Sequence, residues 1–338
     1  MNRIIARWSD SAFRITASCT LCFVQRNCCH LGARSVTITA VVVTSCTQRK
    51  SVGGRIDLSR LPQVQDVHRL AAAWRQLVSR ALPACPAQSL YQGRSIADTT
   101  AAAAHLGSSW YVISAGLGLV RSDQPVPAYE CTVAAGSELS GRLKLSCATT
   151  SDWWNAITSP QPKPLSRLIA KSPTLLALPS SYLRMVHDDL LGVSVAKARQ
   201  LRIFTSPAGA KVVPKHLARC VLPYDDRLES VRNYAGTQSD FAQRALRHFV
   251  EALGGVSLPL EEARNMVSSA LARRPRRPRS VGVRMPDDEI RRVLKAKWGQ
   301  HAGSSTRLLR YLRDEARISC EQKRFSRIWQ ALSAELRV

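Results

Sequence analysis

No stretch of this chain approaches the roughly 18 consecutive apolar residues that a membrane-spanning helix needs. The longest apolar run, around Ile38 to Val43, has the length of a strand. No segment pairs an apolar core with a small-residue cleavage site, so a secretory leader is not expected. Acidic residues are scarce: 24 stand against 49 lysines and arginines, a formal net charge of +25. A surplus of that size speaks of partners and solubility rather than of fold. Nucleic acid is the commonest acidic polymer in a cell, and Lys and Arg contacts to its phosphates drive sequence-independent binding. Arginine far outnumbers lysine here, and its planar fork meets phosphate with two bonds. Nucleic acid, DNA or RNA, is therefore the expected partner, ahead of an acidic protein or a membrane surface. There is no Walker lysine motif, no HExxH and no compelling Ser-His-Asp order, and no cofactor is expected.

Ten cysteines in 338 residues do not make a disulfide scaffold, and most sit singly in apolar surroundings. A reducing cytoplasm is the simplest compartment for them. The stretch 1–34 is rich in Arg, Ser and Cys, with one acid, Asp10, and no clear period. Its cluster of Cys19, Cys22, Cys28, Cys29 and His30 carries zinc-ligating chemistry, but the two halves stand closer than finger spacing requires. A transit peptide is a further reading. The expectation is a poorly structured extension with no metal, upstream of a fold that starts at Ser35.

From there, Ser35 to Thr44 is β-branched and nearly continuous, the pattern of a strand buried on both faces. Asp66 to Leu82 reads as an amphipathic helix with Val67, Leu70, Trp74 and Leu77 on one stripe. Ser95 to Leu106 is a second, alanine-rich helix, and Trp110 to Ser114 another buried strand. Strand, helix, helix, strand is the grammar of an α/β domain with a parallel sheet, spanning 35–158. Ser159 to Pro164, with three prolines, marks a boundary. Beyond it, 165–270 is expected to be mainly helical, with a strand at Ala198 to Thr205 and a helix at Thr237 to Leu253 capped by Thr237 or Ser239. Asp240 and Arg244 fall on one face of that helix as an i,i+4 pair; Arg244, Arg247 and His248 offer an alternative phosphate-facing row. Trp153 and Trp154 are expected in the core.

In parallel sheets, ligands bind beyond the carboxyl ends of strands, where two turns stand out. Cys46-Thr-Gln-Arg-Lys50 follows the first strand. Arg49 and Lys50 give Cys46 the electropositive setting that lowers a thiol pKa. Alternatively, Thr47 and the turn N–H groups cradle an anion while Lys50 meets a phosphate or polarises a carbonyl. Ser114-Ala115-Gly116-Leu-Gly118 follows the second strand. Its glycines either allow close approach of a ligand or serve a tight turn that needs positive φ. Tyr129 and Glu130 are candidates to stack on and hydrogen-bond a base, the way flipped bases are read.

These residues carry a resemblance. Cys46-Thr-Gln-Arg-Lys50 is similar to the C-[ST]-x-x-K motif of bacterial, largely uncharacterised domains related to the peroxide-stress protein YaaA and to the C-terminal catalytic region of archaeosine synthase. Trp110 to Val120 resembles their W-x-[IV]-[IL]-S-A-x-x-G-L-[VL] segment, the more specific of the two. Leu90-Tyr91 resembles a Leu-Tyr element, and Pro127-Ala-Tyr129-Glu130 approximates a Pro-Tyr-Asp element with one extra residue. The resemblance spans about 36–133. It implies a uracil-DNA-glycosylase-like fold, Cys46 and Lys50 as the catalytic pair, and a pocket lined by Thr47, Arg49, Tyr91, Ser114, Ala115, Gly116, Gly118, Tyr129 and Glu130. In archaeosine synthase the chemistry is on a 7-deazaguanine base. The chain departs from that enzyme at Thr47, where it has serine, and lacks the Pro-Tyr-Ser continuation after Lys50, so the substrate itself does not carry over. Base transfer, base excision and binding without turnover are all compatible with these residues. By analogy with related domains, the setting is nucleic-acid modification or antiviral defence.

Arg273-Arg274-Pro-Arg276-Arg277-Pro-Arg279 opens a basic linker, 271–285, in which proline blocks a helix. Then 286–338 reads as three short helices, as in a helix-turn-helix or winged-helix unit. Pro286 to Trp298 has acids in its first turn, a second helix runs through Arg313, and Ser319-x-x-Gln322 has the form of a capping box opening the third. If the third is a recognition helix, Gln322, Lys323 and Arg327 face a groove; otherwise they are a solvated face on a small bundle. A non-catalytic DNA-binding stress or defence protein is the competing reading.

Overall fold

The structure, a computed structural model, describes residues 40–52, 56–276 and 282–336. The expected extension 1–34, with its cysteine cluster, and the first part of the first strand lie outside the described residues.

Five strands form the central sheet: β1 Val41–Ser45, β2 Trp110–Ser114, β3 Gly118–Arg121, β4 Thr174–Ala177 and β5 Leu201–Phe204. Their spatial order is β3-β2-β1-β4-β5. The four strands β2, β1, β4 and β5 are parallel, with Thr44 opposite Val112 on one side and Ala177 on the other. β3 turns back antiparallel to β2 at the edge. The chain is α/β. Nearly every residue of β1, β4 and β5 is buried, which is why these strands read as unbroken apolar runs rather than alternating ones.

Helices fill the connections. α1 spans Val67–Ser79, and Asp66 caps it by accepting from the Arg69 N–H at 2.9 Å. α2 is Arg94–His105, α3 Thr150–Ile157, α4 Pro164–Lys171, α5 Ser180–Met185, α6 Phe241–Arg247 and α7 Leu260–Ala272. α2 and α6 pack side by side and against the sheet, while α1 packs along α3. Trp153 and Trp154 on α3 are fully buried.

The proline-rich segment 159–164 is a connection within one core rather than a domain boundary. Both β4 and β5 lie beyond it, yet they extend the sheet that β1 begins, and a single apolar core runs from Ala40 to Leu271. Residues 165–191 are mostly helical, but Thr174-Leu-Leu-Ala177 interrupts the helices as a strand. Four apolar residues cannot be told from a buried helical turn by periodicity. The flanking Pro173 and Pro179 were the only local sign of an interruption. The helix expected at Thr237 to Leu253 starts with a 3-10 turn, continues as α6 and ends in a π turn over His248–Ala252.

The phosphate-facing row proposed for that helix does not exist. Arg244 is fully buried, bound to Asp240 at 2.6 Å and Glu229 at 2.7 Å, and it donates to the carbonyls of Tyr234 and Thr237. His248 is buried against Tyr224, whose hydroxyl lies 2.8 Å from its Nδ1. Burial pulls its pKa down to about 4, which keeps the ring neutral. Arg247 is bound to Asp98 and Glu251.

The last three helices, α8 Asp287–Lys297, α9 Ser305–Asp314 and α10 Gln322–Glu335, surround a second core of Ile290, Leu294, Leu308, Leu312, Phe325, Ile328 and Leu332. The turn between α8 and α9 passes Gly303 at φ +64°, and Trp329 donates to its carbonyl at 2.9 Å. The capping box expected at Ser319 does not form: Glu321 occupies the cap position of α10, and no side chain caps that end.

Arg244 tests how much the second half of the sheet domain depends on a buried charge. Arg244→Met removes the cation from two carboxylates that solvent barely reaches. Breaking a buried pair by deleting one partner costs about 3–5 kcal/mol. A loss of that size in urea unfolding is expected, whereas a change under about 1 kcal/mol would mean the pair carries no net weight.

Candidate functional site

The two turns singled out in the sequence meet. Cys46 follows β1 and hydrogen-bonds its N–H to the Ile113 carbonyl of β2 at 3.0 Å. The chain then runs back across Tyr91: Ser51 N–H donates to Leu90 O and Gln92 N–H to Arg49 O, both at 2.9 Å, with Lys50 and Tyr91 paired as an antiparallel bridge. A two-residue parallel pairing of Ile56–Asp57 with Tyr129–Glu130 sets the height of Glu130. These backbone contacts bring Lys50, Tyr91, Ser114, Tyr129 and Glu130 into one cluster.

Tyr129 is its hub. Its hydroxyl lies 2.5 Å from Ser114 Oγ and 2.8 Å from the Tyr91 hydroxyl. Ser114 Oγ also accepts the N–H groups of Gly116 and Leu117 at 3.1 and 2.9 Å. The Lys50 side chain is wholly buried; its ammonium sits 4.7 Å from the Tyr129 ring centre and 3.8 Å from the Glu130 carboxylate, which is 39% exposed. A buried ammonium is thus held between an aromatic face and a carboxylate that reaches water. Thr47, Glu130 and Thr132 are half-buried and Gln48 and Arg49 exposed, forming a polar rim above that floor.

Several expected roles change. Gly116 does not keep space for a ligand: a Cβ there would lie 2.6 Å from the Tyr129 ring, so the missing side chain makes room for Tyr129 itself. Gly118, at φ +77°, serves the tight β2–β3 turn. The Ala115 and Gly116 carbonyls accept from the indoles of Trp153 at 2.6 Å and Trp74 at 2.7 Å, which pin the turn from behind. Tyr129 is fully buried, edge-on to Trp74 and Tyr91, so its ring is not at the surface where an incoming base would stack. Thr47 Oγ1 donates to Arg49 O at 2.9 Å and accepts from Gln92 N–H at 3.3 Å, so it serves its own turn instead of an anion cradle.

Cys46 is buried as well, and its sulfur lies 2.9 Å from the Tyr182 hydroxyl on α5. That pair marks a topological feature absent from the sequence reading. β1 connects onward to β2 on one side, β4 to β5 on the other, so the connections diverge between β1 and β4. Such a switch point opens the crevice where α/β sheets place ligands. Here Cys46 and Tyr182 close its floor, and Gln243 from α6 spans the same two strands, donating to Thr44 Oγ1 and Ala177 O at 2.9 and 3.1 Å. A thiol covered in this way lacks the accessible setting of a nucleophile. Tyr182 lies 136 positions from Cys46, and no local pattern could have joined them.

The basic residues are dispersed. Arg273, Arg274 and Arg276 are exposed where α7 ends, with Arg276 at 3.4 Å from Asp225. Arg277, Arg279 and the Lys323 side chain lie outside the described residues. Gln322 is exposed in the first turn of α10. Arg327 is exposed but donates to Asp287 at 3.0 Å, the carboxylate that Arg324 also binds. Those two guanidiniums hold the Asp287 carboxyl below its usual value, Arg324 foremost.

The chain matches no protein-family model, no curated protein and no solved structure. The resemblance over 36–133 therefore rests on the quoted motifs alone.

Burial raises the pKa values of the Tyr91, Tyr129, Tyr182 and Tyr224 phenols above the ordinary 10.0. Above about pH 10 the unfolded chain releases protons that the folded chain keeps, so stability is full below that pH and falls as pH rises further. Titration at the phenolate absorbance should find these four of the seven tyrosines silent until the protein unfolds. Smooth ionisation of all seven near pH 10 in folded protein would contradict the buried network.

Proposed function

We propose that the sheet domain binds a nucleobase carried by nucleic acid, and that the basic C-terminal region supplies affinity for the phosphates. The observation that carries this reading is the Lys50–Glu130 pair at the carboxyl ends of the sheet: a fully buried ammonium facing a carboxylate that reaches solvent at a polar rim. The base lies over the rim of Gln48, Arg49 and Thr132. Lys50, wholly buried, holds Glu130 in place from below, and Glu130 accepts from a ring N–H or exocyclic amine, as proteins read base edges. Tyr129, Tyr91 and Ser114 are positioning residues that hold Lys50, and Cys46 is a packed thiol of the floor. A 7-deazaguanine-related base is the first to try, because the motifs over 36–133 resemble those of archaeosine synthase.

On the same reading, the sheet domain is uracil-DNA-glycosylase-like and α8 to α10 form a helix-turn-helix or winged-helix unit. The parallel sheet with its terminal site and the three short helices around their own core support this. No helix among the described residues is long and apolar enough to cross a membrane, and the six described cysteines are free thiols; both favour a cytoplasmic setting in nucleic-acid modification or defence. The dense bonding of Cys46, Tyr91 and Tyr129 favours a second reading, a DNA-binding stress or defence protein whose sheet domain performs no turnover.

Thermal unfolding with guanine, 7-deazaguanine, adenine, cytosine and uracil separates the two. A base bound at about 100 times its Kd stabilises the folded state by about 2.7 kcal/mol. One base is expected to raise Tm, and Lys50→Met or Glu130→Gln to abolish that shift while leaving oligonucleotide affinity within about twofold. If no base shifts Tm and both variants bind oligonucleotide normally, the base-handling reading fails.

A further inference from the structure

The acids of the terminal helical unit are shared unevenly among its bases. Asp287 binds Arg324 at 2.5 Å and Arg327 at 3.0 Å, while Glu335 binds Lys295 at 2.8 Å and also Arg291. The first and third helices thus neutralise much of their own charge. The second does not. On α9, Leu308 and Leu312 turn into the core, leaving Arg307, Arg310 and Arg313 exposed at a spacing of three. Among the described residues none of the three makes an ion pair with a carboxylate; Arg313 donates to the Cys320 carbonyl at 3.2 Å. Three residues of helix rise about 4.5 Å, so the guanidiniums form a short, closely spaced ladder of positive charge.

Arg310 and Arg313 of this ladder line a groove of about 630 Å³, and Arg307 stands one helical turn before them. Beside Arg310 and Arg313 it is lined by the donors Thr237, Ser305, Thr306, Gln322 and Ser326, by the apolar Leu309 and Phe325, and by Asp314 as its one acid. Arginine forks with Ser, Thr and Gln side chains are the donor set that nucleic-acid phosphates receive. An acidic peptide would be met by the same charges without needing the hydroxyls.

We propose that this groove and the helix face beside it are where the chain holds nucleic-acid phosphates, with Arg310 and Arg313 in the groove and Arg307 next to it as the principal contacts in place of Arg327 on the third helix. The inference rests on the nucleic-acid reading above and assigns its contact surface. Phosphate held by unpaired arginine releases condensed counterions, so each contact adds close to one unit to the slope of log affinity against log salt. Arg327 adds little, because Asp287 already meets it.

The test is fluorescence anisotropy of the full-length chain with a labelled oligonucleotide of about 20 nucleotides, single-stranded and duplex, from about 50 to 200 mM salt. Replacing Arg307, Arg310 and Arg313 together with alanine is expected to weaken binding at least tenfold and to flatten the salt slope by about two to three. Lysine at all three positions should restore most of the slope, which separates loss of charge from damage to the helix. Arg327→Gln should stay within about twofold of wild type. If wild type binds and the triple alanine variant matches it, the groove is the wrong surface while the nucleic-acid reading stands. Loss that lysine does not restore overturns the groove as well. If wild type binds neither probe at about 50 mM salt, both readings fall, and an acidic protein becomes the partner to seek.

Discussion

A single lysine ammonium, taken out of water at the end of the central strand, sets the conditions that the surrounding structure has to meet. Removing such a charge from solvent is costly unless opposite charge and oriented dipoles receive it. Glu130 and the face of Tyr129 receive Lys50. Tyr129 in turn is fixed by Ser114 and Tyr91, and it fits only because residue 116 has no side chain. The two indoles behind the turn then donate to its buried carbonyls, at Ala115 alongside the Cys131 thiol. One polar demand is met by a chain of contacts drawn from five separated segments.

The same economy of acids runs through the rest of the molecule. With half as many acids as bases, each carboxylate placed against one arginine leaves another without a partner. Asp240 and Glu229 are committed to Arg244 in the core, Asp98 and Glu251 to Arg247, and Asp287 and Glu335 to the first and third terminal helices. The surplus positive charge therefore concentrates where no carboxylate is placed. The net charge makes a polyanionic partner reasonable; the pairing pattern says which arginines remain available to it.

Much was legible in the residues. The β-branched run before Cys46, the Trp110 to Ser114 strand, and the helices at Asp66 and Ser95 follow from periodicity, caps and breakers, which are local physics. So does the Asp240–Arg244 pair, because four residues on a helix fix the distance. The strand at Thr174 was not legible, since a four-residue apolar segment satisfies either regular structure until it finds a neighbour to pair with. The proline-rich segment at 159–164 was misleading for a related reason: prolines mark where the backbone leaves a regular element, not whether the next element joins the same sheet.

By itself, the order of residues determined the fold class, most of the element positions, the excess of positive charge and the two turns at strand ends. Tertiary structure alone decided what those turns became. Strand order put β1 between β2 and β4 and so brought Tyr182 to Cys46, a contact between segments far apart in the chain. Packing took the surface role from Tyr129 and gave it to Glu130, and it covered the thiol while leaving the lysine beside a carboxylate open to water. Such outcomes depend on which surfaces meet when loops close, an energy shared among distant side chains that no short window of sequence contains.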